Sequence, residues 1–473
     1  MRGPGDILLV SCYEPGHQPA GVASAVAFLR RAGFAPTCLD LAVEPLDDRA
    51  RARLNAARLV ALSVPMHTAL TLGLRVAERV RRENPHAHLC FFGLYAVLNQ
   101  ALLMERADTV LPPDCDETLV ALAGALETGS RLPSGPAPGR MPAPRRLPVI
   151  APARDALPPL DRYARLAIGD ERRVAGHVEA TRGCKHLCRH CPLPPVYKGR
   201  FFAVPVEAVL ADVGVQVAAG ARHIDFGDPD FLNGPKHALR VARALHAAHP
   251  EVTFSFTAKV EHILKHRAFF PELAALGAVF VVSAFESLSE EVLAALDKGH
   301  RAADLPEALA IVRGAGISLR PTFVPFTPWT TLADYLALCR FIRAEALENE
   351  VDPVQFSLRL LIPPGSLLLE LPDLVRRLGP LDAGALTYRW THIDPRLARL
   401  ETDVAALVEE ATRGEGAAAE TFARIHALAA AAGGASVGDD RGFHASAATP
   451  PPPHLTEPWF CCAAPTRRQL GAV

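Results

Sequence analysis

The residues best suited to chemistry lie in one short stretch, TRGCKHLCRHCPLPPVYKG, at positions 181–199. Cys184, Cys188 and Cys191 have the spacing C-x3-C-x2-C directly after a strand-like run. Three thiolates that close together can each bind one iron of a four-iron cubane and leave the fourth iron open. A structural zinc site completed by one of the two histidines of the stretch is the competing interpretation. The spacing at the end of a first barrel strand favours the cluster.

Strand-like runs with helix-like stretches between several of them must position this loop. They predict an α/β fold in which residues 173–375 form a partial (β/α) barrel. The region 376–473 is expected to be helical and to end in an extended tail. The strand-like runs are HVEATRGC, HIDFGDPD, VTFSFTA, VFVVSAFES, SLRPTFVPF and PVQFSLRLLI.

The N-terminal part alternates short apolar runs with helical periodicity, beginning with the run at Ile7. This alternation predicts a doubly wound parallel sheet over residues 1–129, with any ligand beyond the carboxyl ends of its strands. Cys12, His17 and His67 are among the side chains expected there. A proline-rich linker is predicted for residues 130–172, because proline and glycine sustain neither helices nor central strands.

Composition narrows the class of partner. The 473 residues include 50 Lys and Arg against 51 Asp and Glu, so no net charge attracts nucleic acid or an acidic membrane. Ten cysteines, without a signal-like leader or an apolar run near twenty residues, indicate a cytoplasmic protein in a reducing compartment. We expect a small-molecule substrate and no nucleic-acid or membrane partner.

The cysteine loop resembles that of the radical S-adenosylmethionine (radical SAM) enzymes, whose motif is C-x3-C-x-aromatic-C. His190 stands at the position that is more often Tyr, Phe or Trp. The resemblance implies a [4Fe-4S] cluster on Cys184, Cys188 and Cys191, with SAM bound to the open iron and cleaved homolytically at a C–S bond. It also implies an electron donor such as flavodoxin or ferredoxin.

The same resemblance implies a set of SAM-binding positions near the carboxyl ends of the barrel strands. The segment FGDPDF corresponds to the segment that meets the SAM amino group, and the later positions correspond to partners of ribose and carboxylate groups. A carboxylate could be held bidentately by arginine. Ordinary turns and surface ion pairs are the competing interpretation for each position. The residues concerned are His190, Gly227, Asp228, Asp230, Lys259, Glu261, Ser283, Glu286, Arg320 and Arg359.

The order of an N-terminal α/β domain before the cysteine loop resembles the cobalamin-binding radical SAM class, which often transfers methyl groups. The D-x-H-x-x-G motif that supplies an axial histidine is absent from the sequence. Binding of cobalamin therefore stays open. Two alternatives also stay open: a cobalamin-dependent methyl or alkyl transferase, and a non-catalytic iron–sulfur redox or metal-binding protein.

The C-terminal tail carries Cys461 and Cys462 in the stretch HLTEPWFCCAAP. Together with SCYEPGHQP, GLYAVLN and LLIPPGS it resembles the CUAEP/CCAEP-tail radical SAM group, with Ala464 where that signature has glutamate. Adjacent cysteines are poor disulfide partners, and soft thiolates favour thiophilic species such as trivalent arsenic. The resemblance extends to radical SAM enzymes of arsinothricin biosynthesis. It implies that a 3-amino-3-carboxypropyl radical from SAM adds to arsenite, with Cys461 and Cys462 serving catalysis.

Overall fold

The structure is a computed structural model. It describes residues 1–14, 16–132, 150–414, 417–434 and 451–457. No helix among these residues is both long enough and apolar enough to cross a membrane.

The N-terminal sheet has five strands in the order β2-β1-β3-β4-β5, and every pairing is parallel. Strands β1 and β3 are buried along their whole length, because helices cover both faces of the sheet. The predicted doubly wound parallel sheet is confirmed. The strands are β1 Ile7–Ser11, β2 Thr37–Asp40, β3 Leu59–Ser63, β4 His88–Phe92 and β5 Thr109–Leu111. The helices are α1 Ala20–Arg31, α2 Asp48–Ala56, α3 His67–Glu83, α4 Leu94–Leu98, α5 Gln100–Leu103 and α6 Asp116–Thr128.

The second sheet has seven strands in the order β13-β12-β11-β10-β7-β6-β16. The five strands from β7 to β13 are parallel, as expected for a partial barrel, and β6 and β16 add an antiparallel edge. Two short pairs, β8 with β9 and β14 with β15, lie outside this sheet. The strands are β6 Arg165–Ile168, β7 Glu171–Val178, β8 Thr181–Gly183, β9 Phe201–Ala203, β10 His223–Phe226, β11 Thr253–Thr257, β12 Ala278–Glu286, β13 Ser318–Phe323, β14 Leu381–Asp382, β15 Thr387–Tyr388 and β16 His454–Leu455.

Helices pack on the outer face of the second sheet through one large apolar core that includes Phe226, Phe254, Phe285 and Phe323. The opposite face carries polar side chains, among them His177 and Asp225. The helices are α7 Leu193–Tyr197, α8 Val206–Ala218, α9 Pro235–Ala248, α10 Val260–Lys265, α11 Phe270–Ala275, α12 Glu290–Leu296, α13 Leu305–Gly314, α14 Leu332–Ala344, α15 Pro372–Val375, α16 Pro395–Gly414 and α17 Ala418–Ala432.

Two expectations from the sequence differ from the structure. The run PVQFSLRLLI was predicted as a barrel strand, but Pro353–Phe356 is a 3-10 helix and only Arg359 makes a β-bridge, to Phe326. Pro353 lacks an N–H, and at the start of a helix that loss costs little. Within the predicted linker, residues 165–168 form β6 and therefore belong to the second sheet.

Arg154 joins the two sheets at their junction. Its guanidinium is buried and donates bidentately to Asp212 at 2.9 and 2.8 Å, and also to the carbonyl oxygens of His177 and Gln18. Gln18 precedes α1 of the first sheet, His177 lies in β7, and Asp212 lies in α8. One side chain therefore connects three elements from both parts of the chain.

We predict that Arg154→Ala lowers the free energy of unfolding by about 3–5 kcal/mol, because Asp212 becomes a buried carboxylate without its partner. Urea denaturation followed by circular dichroism measures the loss. The matched control is Arg30→Ala, which removes an exposed ion pair with Asp155 and is expected to cost at most about 1 kcal/mol. Equal losses in the two variants would contradict the role given to Arg154.

Candidate metal centre and cofactor site

The cysteine loop begins at Gly183, the last residue of β8. Gly183 has φ of 80°, a conformation that favours glycine. A Cβ atom there would lie 2.5 Å from the carbonyl oxygen of Arg200 and 2.6 Å from the ring of Tyr197. The residue before Cys184 is therefore restricted to glycine by both conformation and space.

The three thiols of the loop are free of disulfides. Cys184 and Cys188 are buried, and Cys191 is partly exposed. Burial raises the pKa of Cys184, and negative charge on Asp230 and Cys188 raises it further. A bound cation would favour the thiolate form of such cysteines.

Two carboxylates hold the chain on either side of the first cysteine. Asp228 accepts hydrogen bonds from the Ala180 amide and the Thr181 hydroxyl, and burial raises the pKa of Asp228 to about 7. Asp114, in the loop after β5, accepts from Arg182 and from the hydroxyl of Tyr197, each at 2.8 Å. The N-terminal sheet thus fastens the cysteine loop directly.

Glu286 ends β12 and lies beside the loop. Its Oε1 is 3.1 Å from His190 Nε2 and 3.0 Å from the Nζ of Lys298. Burial would raise the pKa of Glu286, but the positive charges of Lys298 and His190 hold it well below its usual range. Burial likewise opposes the charge on Lys298, whose pKa is nevertheless raised by Glu286 and by negative charge on Cys188 and Cys191. A buried cation is therefore paired with the carboxylate that contacts His190 of the loop.

Several other predicted positions lie on the same side of the barrel. Asp230 approaches His186 of the loop and His262 of α10. Glu261 lies 3.7 Å from both His186 Nδ1 and the Nζ of Lys259. The structure thus connects Asp230, Glu261 and Lys259 to the cysteine loop through His186.

Gly227 has a packing role. A Cβ atom at this position would lie 2.2 Å from the ring of His177, so glycine is required where the loop after β10 crosses β7. Asp228 is likewise occupied by the hydrogen bonds from Ala180 and Thr181. Asp228 therefore holds the chain before the cysteine loop, and its contact with a SAM ammonium stays a prediction.

Two predicted ligand-binding arginines have partners within the protein. Arg320 pairs with Asp352 at 2.7 Å. Arg359 donates to Glu401 at 2.6 Å and stacks on the ring of Trp390 at 3.5 Å. Both arginines are therefore paired within the protein, and a role in holding a ligand carboxylate stays a prediction.

Ser283 is another position predicted near the carboxyl end of a barrel strand. It lies within β12, three residues before the strand ends, and is fully buried. Side chains alternate between the faces of a strand, so Ser283 shares the helix-covered face with Val281 and Phe285. Glu286 ends the same strand with φ of 64°, after a shift in register. Ser283 and Glu286, the two residues predicted from the run VVSAFES, therefore lie in different surroundings.

The sequence did not identify Lys298 or His262 as site residues. Both lie far along the chain from the cysteine loop, and no local spacing links them to it. The feature of the sequence that could have indicated Lys298 is the segment DKGH. It is a charged turn after a helix, and Lys298 stands next to Gly299. Such turns are common, which is why this signal alone could not single it out.

Polar atoms without hydrogen-bond partners surround the loop. His190 Nδ1, Asn233 Nδ2 and His300 Nδ1 are each buried and unpaired. Buried polar atoms are almost always satisfied in folded proteins, so a group of them points to a missing partner. Three cysteines on a glycine-led loop with polar atoms around them fit an iron–sulfur cluster and a polar ligand.

The residues expected at the carboxyl edge of the first sheet are buried or stacked against neighbouring side chains. Burial and the nearby Asp40 raise the pKa of Cys12, which packs close to Gly73 in the N-terminal core. The ring of His17 stacks on that of His177 at 3.6 Å, and burial lowers the pKa of His67 to about 4. Cys461 and Cys462 lie outside the described residues.

Residues 178–342 match the family model of the radical SAM superfamily. The chain therefore carries a radical SAM domain. The ribosomal protein uS12 methylthiotransferase RimO of Chloroflexus aurantiacus is similar, at 27% identity over 221 residues. That alignment covers 43% of this chain and 45% of the relative, so the chain spans less than half of the length of that protein.

Two solved radical SAM proteins share the fold. The methyltransferase TsrM of Kitasatospora setae, with cobalamin and a [4Fe-4S] cluster bound, has a TM-score of 0.58 and 17% identity. That likeness covers 72% of this chain and 73% of TsrM. The cobalamin-dependent enzyme OxsB, with aqua-cobalamin bound, has a TM-score of 0.65 and 16% identity, over 86% of this chain and 66% of OxsB. The likeness therefore includes the N-terminal sheet as well as the radical SAM domain.

We predict that Lys298→Met destabilises the chain by about 3–5 kcal/mol at pH 7, because Glu286 loses its buried cation. The pKa of Glu286 is lowered in the folded protein, so the pair contributes its stability above the usual carboxyl pKa and loses it as the pH falls. The difference between the variant and the wild type should therefore shrink below about pH 4.5. Urea denaturation of the apoprotein at several pH values measures it.

The control for this variant is Lys236→Met, which changes an exposed lysine of α9 and should alter stability by less than about 0.5 kcal/mol. A pH-independent loss in Lys298→Met would show that packing, and not the ion pair, accounts for the effect.

Proposed function

We propose that this protein is a radical SAM transferase whose cluster is held by Cys184, Cys188 and Cys191. The observation that carries the proposal is the match of residues 178–342 to the radical SAM family, with the three free cysteines on one glycine-led loop inside the matched region. When bound, the cluster supplies one electron to the sulfonium of SAM.

Glu286, His190 and Lys298 are proposed to bind the polar end of SAM beside the loop. Glu286 and Lys298 are buried, His190 is partly buried, and Glu286 contacts the other two at 3.1 and 3.0 Å, while His190 keeps its Nδ1 without a partner. A charged pair that is already desolvated is held in a fixed position and needs little reorganisation when a ligand arrives. Lys298 also places a positive charge beside Cys188 and Cys191, which favours electron-rich thiolate ligands.

We predict that anaerobic reconstitution with iron and sulfide gives a brown protein with about four irons per chain. The triple variant Cys184→Ala, Cys188→Ala, Cys191→Ala should lose this absorbance and most of its iron. Cys339→Ala, which changes a buried cysteine of α14, is the control and should keep both. A colourless wild-type protein that holds zinc on the three cysteines would contradict the proposal of an iron–sulfur cluster.

For the transferred group, we propose that SAM donates its 3-amino-3-carboxypropyl group to trivalent arsenic, giving the C–As bond of an arsinothricin precursor. The support is the dithiol Cys461-Cys462 together with the resemblance of the tail and of several other stretches to the CUAEP/CCAEP-tail group. Soft thiolates bind thiophilic ions. Because Cys12 is buried in the N-terminal core, the proposal relies on the two tail thiols alone.

The described part of the tail supports a position near the junction of the two sheets. Strand β16 pairs antiparallel with β6, and the Tyr13 hydroxyl, just after β1, donates to Glu457 at 3.1 Å. Glu457 is four residues before Cys461. An extended chain covers roughly 3.3–3.6 Å per residue, so four residues allow at most about 14 Å between the Cα atoms of Glu457 and Cys461.

The net reaction balances without a further reductant. The sulfonium C–S bond of SAM breaks, methylthioadenosine leaves as a neutral thioether, and the carbon forms a bond to arsenic. The electron pair of arsenite supplies that bond, so arsenic goes from the trivalent to the pentavalent state and one proton is released. The electron needed to begin cleavage is returned at the end.

We predict that reduced enzyme, SAM and arsenite yield methylthioadenosine and an aminocarboxypropyl arsenical, identified by mass spectrometry. Cys461→Ser/Cys462→Ser should reduce the arsenical at least tenfold while iron content stays unchanged, because the change affects only the presentation of arsenic. Formation of 5′-deoxyadenosine with no arsenical would contradict the arsenic proposal and leave the radical SAM assignment intact.

The second candidate is a cobalamin-dependent methyl or alkyl transferase. The likeness to OxsB over both sheets, and to TsrM over 72% of this chain, favours it, since both of those proteins were solved with a cobalamin. An enzyme expressed with cobalamin would then show a corrinoid absorption spectrum after desalting, and S-adenosylhomocysteine would accompany the methylated product. A protein that copurifies with no corrinoid would exclude this candidate.

A further inference from the structure

We propose that His186, Asp230 and His262 form a second metal site, separate from the three cysteines. One possible ligand atom from each of these residues lies within 4.8 Å of the other two. His186 lies between Cys184 and Cys188, Asp230 in the loop after β10, and His262 in α10, which follows β11. The site joins the cysteine loop to the ends of two neighbouring barrel strands.

The three facing atoms are buried, and none of them makes a hydrogen bond. They are Nε2 of His186, Oδ2 of Asp230 and Nδ1 of His262. The side chains of Asp230 and His262 are 0% and 1% exposed, and that of His186 is 11% exposed. They contact only one another, as ion pairs without hydrogen-bond geometry, and a cation that binds all three would satisfy them at once.

The separations are short, yet the geometry is poor for hydrogen bonds. Asp230 Oδ2 lies 2.6 Å from His262 Nδ1 and 3.3 Å from His186 Nε2, and neither contact is aligned with the ring N–H direction. Metal–ligand bonds of about 2.0–2.2 Å place neighbouring ligand atoms about 3 Å apart. Binding a cation would therefore need the His262 contact to widen by a few tenths of an ångström.

The surrounding contacts orient the ligands. The Leu232 amide donates to the other carboxylate oxygen of Asp230, which leaves Oδ2 facing the histidines. Glu261 lies 3.7 Å from Nδ1 of His186, on the ring nitrogen that faces away from the site. A carboxylate behind a ligating histidine fixes its tautomer and increases its basicity, which is a common arrangement at metal sites.

The donor set defines the class of ion. Two imidazoles and one carboxylate suit a divalent first-row transition metal such as zinc or iron(II), whereas thiophilic ions prefer sulfur. The ion connects the middle of the cysteine loop to the polypeptide after β10 and β11, so it fixes the loop in position. This role does not depend on which bond of SAM is cleaved or on the transferred group.

The test uses the full-length protein, reconstituted anaerobically with iron and sulfide, supplied with one equivalent of zinc and desalted. Elemental analysis should find about one zinc per chain in addition to the cluster iron. X-ray absorption at the zinc edge should show nitrogen and oxygen neighbours at about 2.0–2.2 Å and no sulfur. Asp230→Asn and His262→Gln should each retain less than a tenth of the zinc.

The matched control is His266→Gln, because His266 contacts the His262 ring at 5.6 Å between centroids but is not part of the site. It should keep both zinc and iron. The proposal is overturned if wild-type protein binds no zinc, if sulfur atoms surround the zinc, or if both ligand variants keep it. If a ligand variant loses iron together with zinc, the X-ray absorption spectrum at the zinc edge of the wild-type protein is the measurement that tests the proposal.

Discussion

The arrangement of this molecule depends on the hydrogen bonds of Asp114. This carboxylate stands at the carboxyl end of the last strand of the N-terminal sheet, yet its partners, Arg182 and Tyr197, belong to the other half of the chain and flank the cysteines on both sides. Arg154 adds a second connection through Asp212. The position of the cysteine loop is therefore determined by both sheets together, and neither sheet alone supplies all of its contacts.

Around that loop the structure concentrates charge in places from which water is excluded. Glu286 and Lys298 neutralise one another beside two cysteines, and Asp230 faces two histidines on the other side of the loop. Burying such groups is unfavourable unless each has a partner. The first group is satisfied within the protein, whereas the second has atoms left over. The first group is therefore a preformed ion pair, and the second is the proposed metal site.

Much of the fold could be predicted from the sequence, because buried parallel strands are continuous apolar runs, as at Ile7–Ser11, and both sheets contain such runs. The cysteine loop could be recognised because its three ligands are close in sequence. The partners of Arg320 and Arg359 could not be predicted, since a charged residue near a strand end does not reveal which carboxylate comes from a distant segment. For the same reason Lys298 and His262 became visible only when the chain was folded.

The pairing of β16 with β6 has a consequence for biosynthesis. Arg165 and Thr456, which exchange hydrogen bonds at this edge, are 291 residues apart. Closing so long a loop is slow compared with forming local contacts, and β16 is synthesised after every other strand of the second sheet. The rest of this sheet can thus assemble before the edge of β6 is covered. The order of synthesis therefore brings the two tail cysteines to the protein after its cysteine loop has been made.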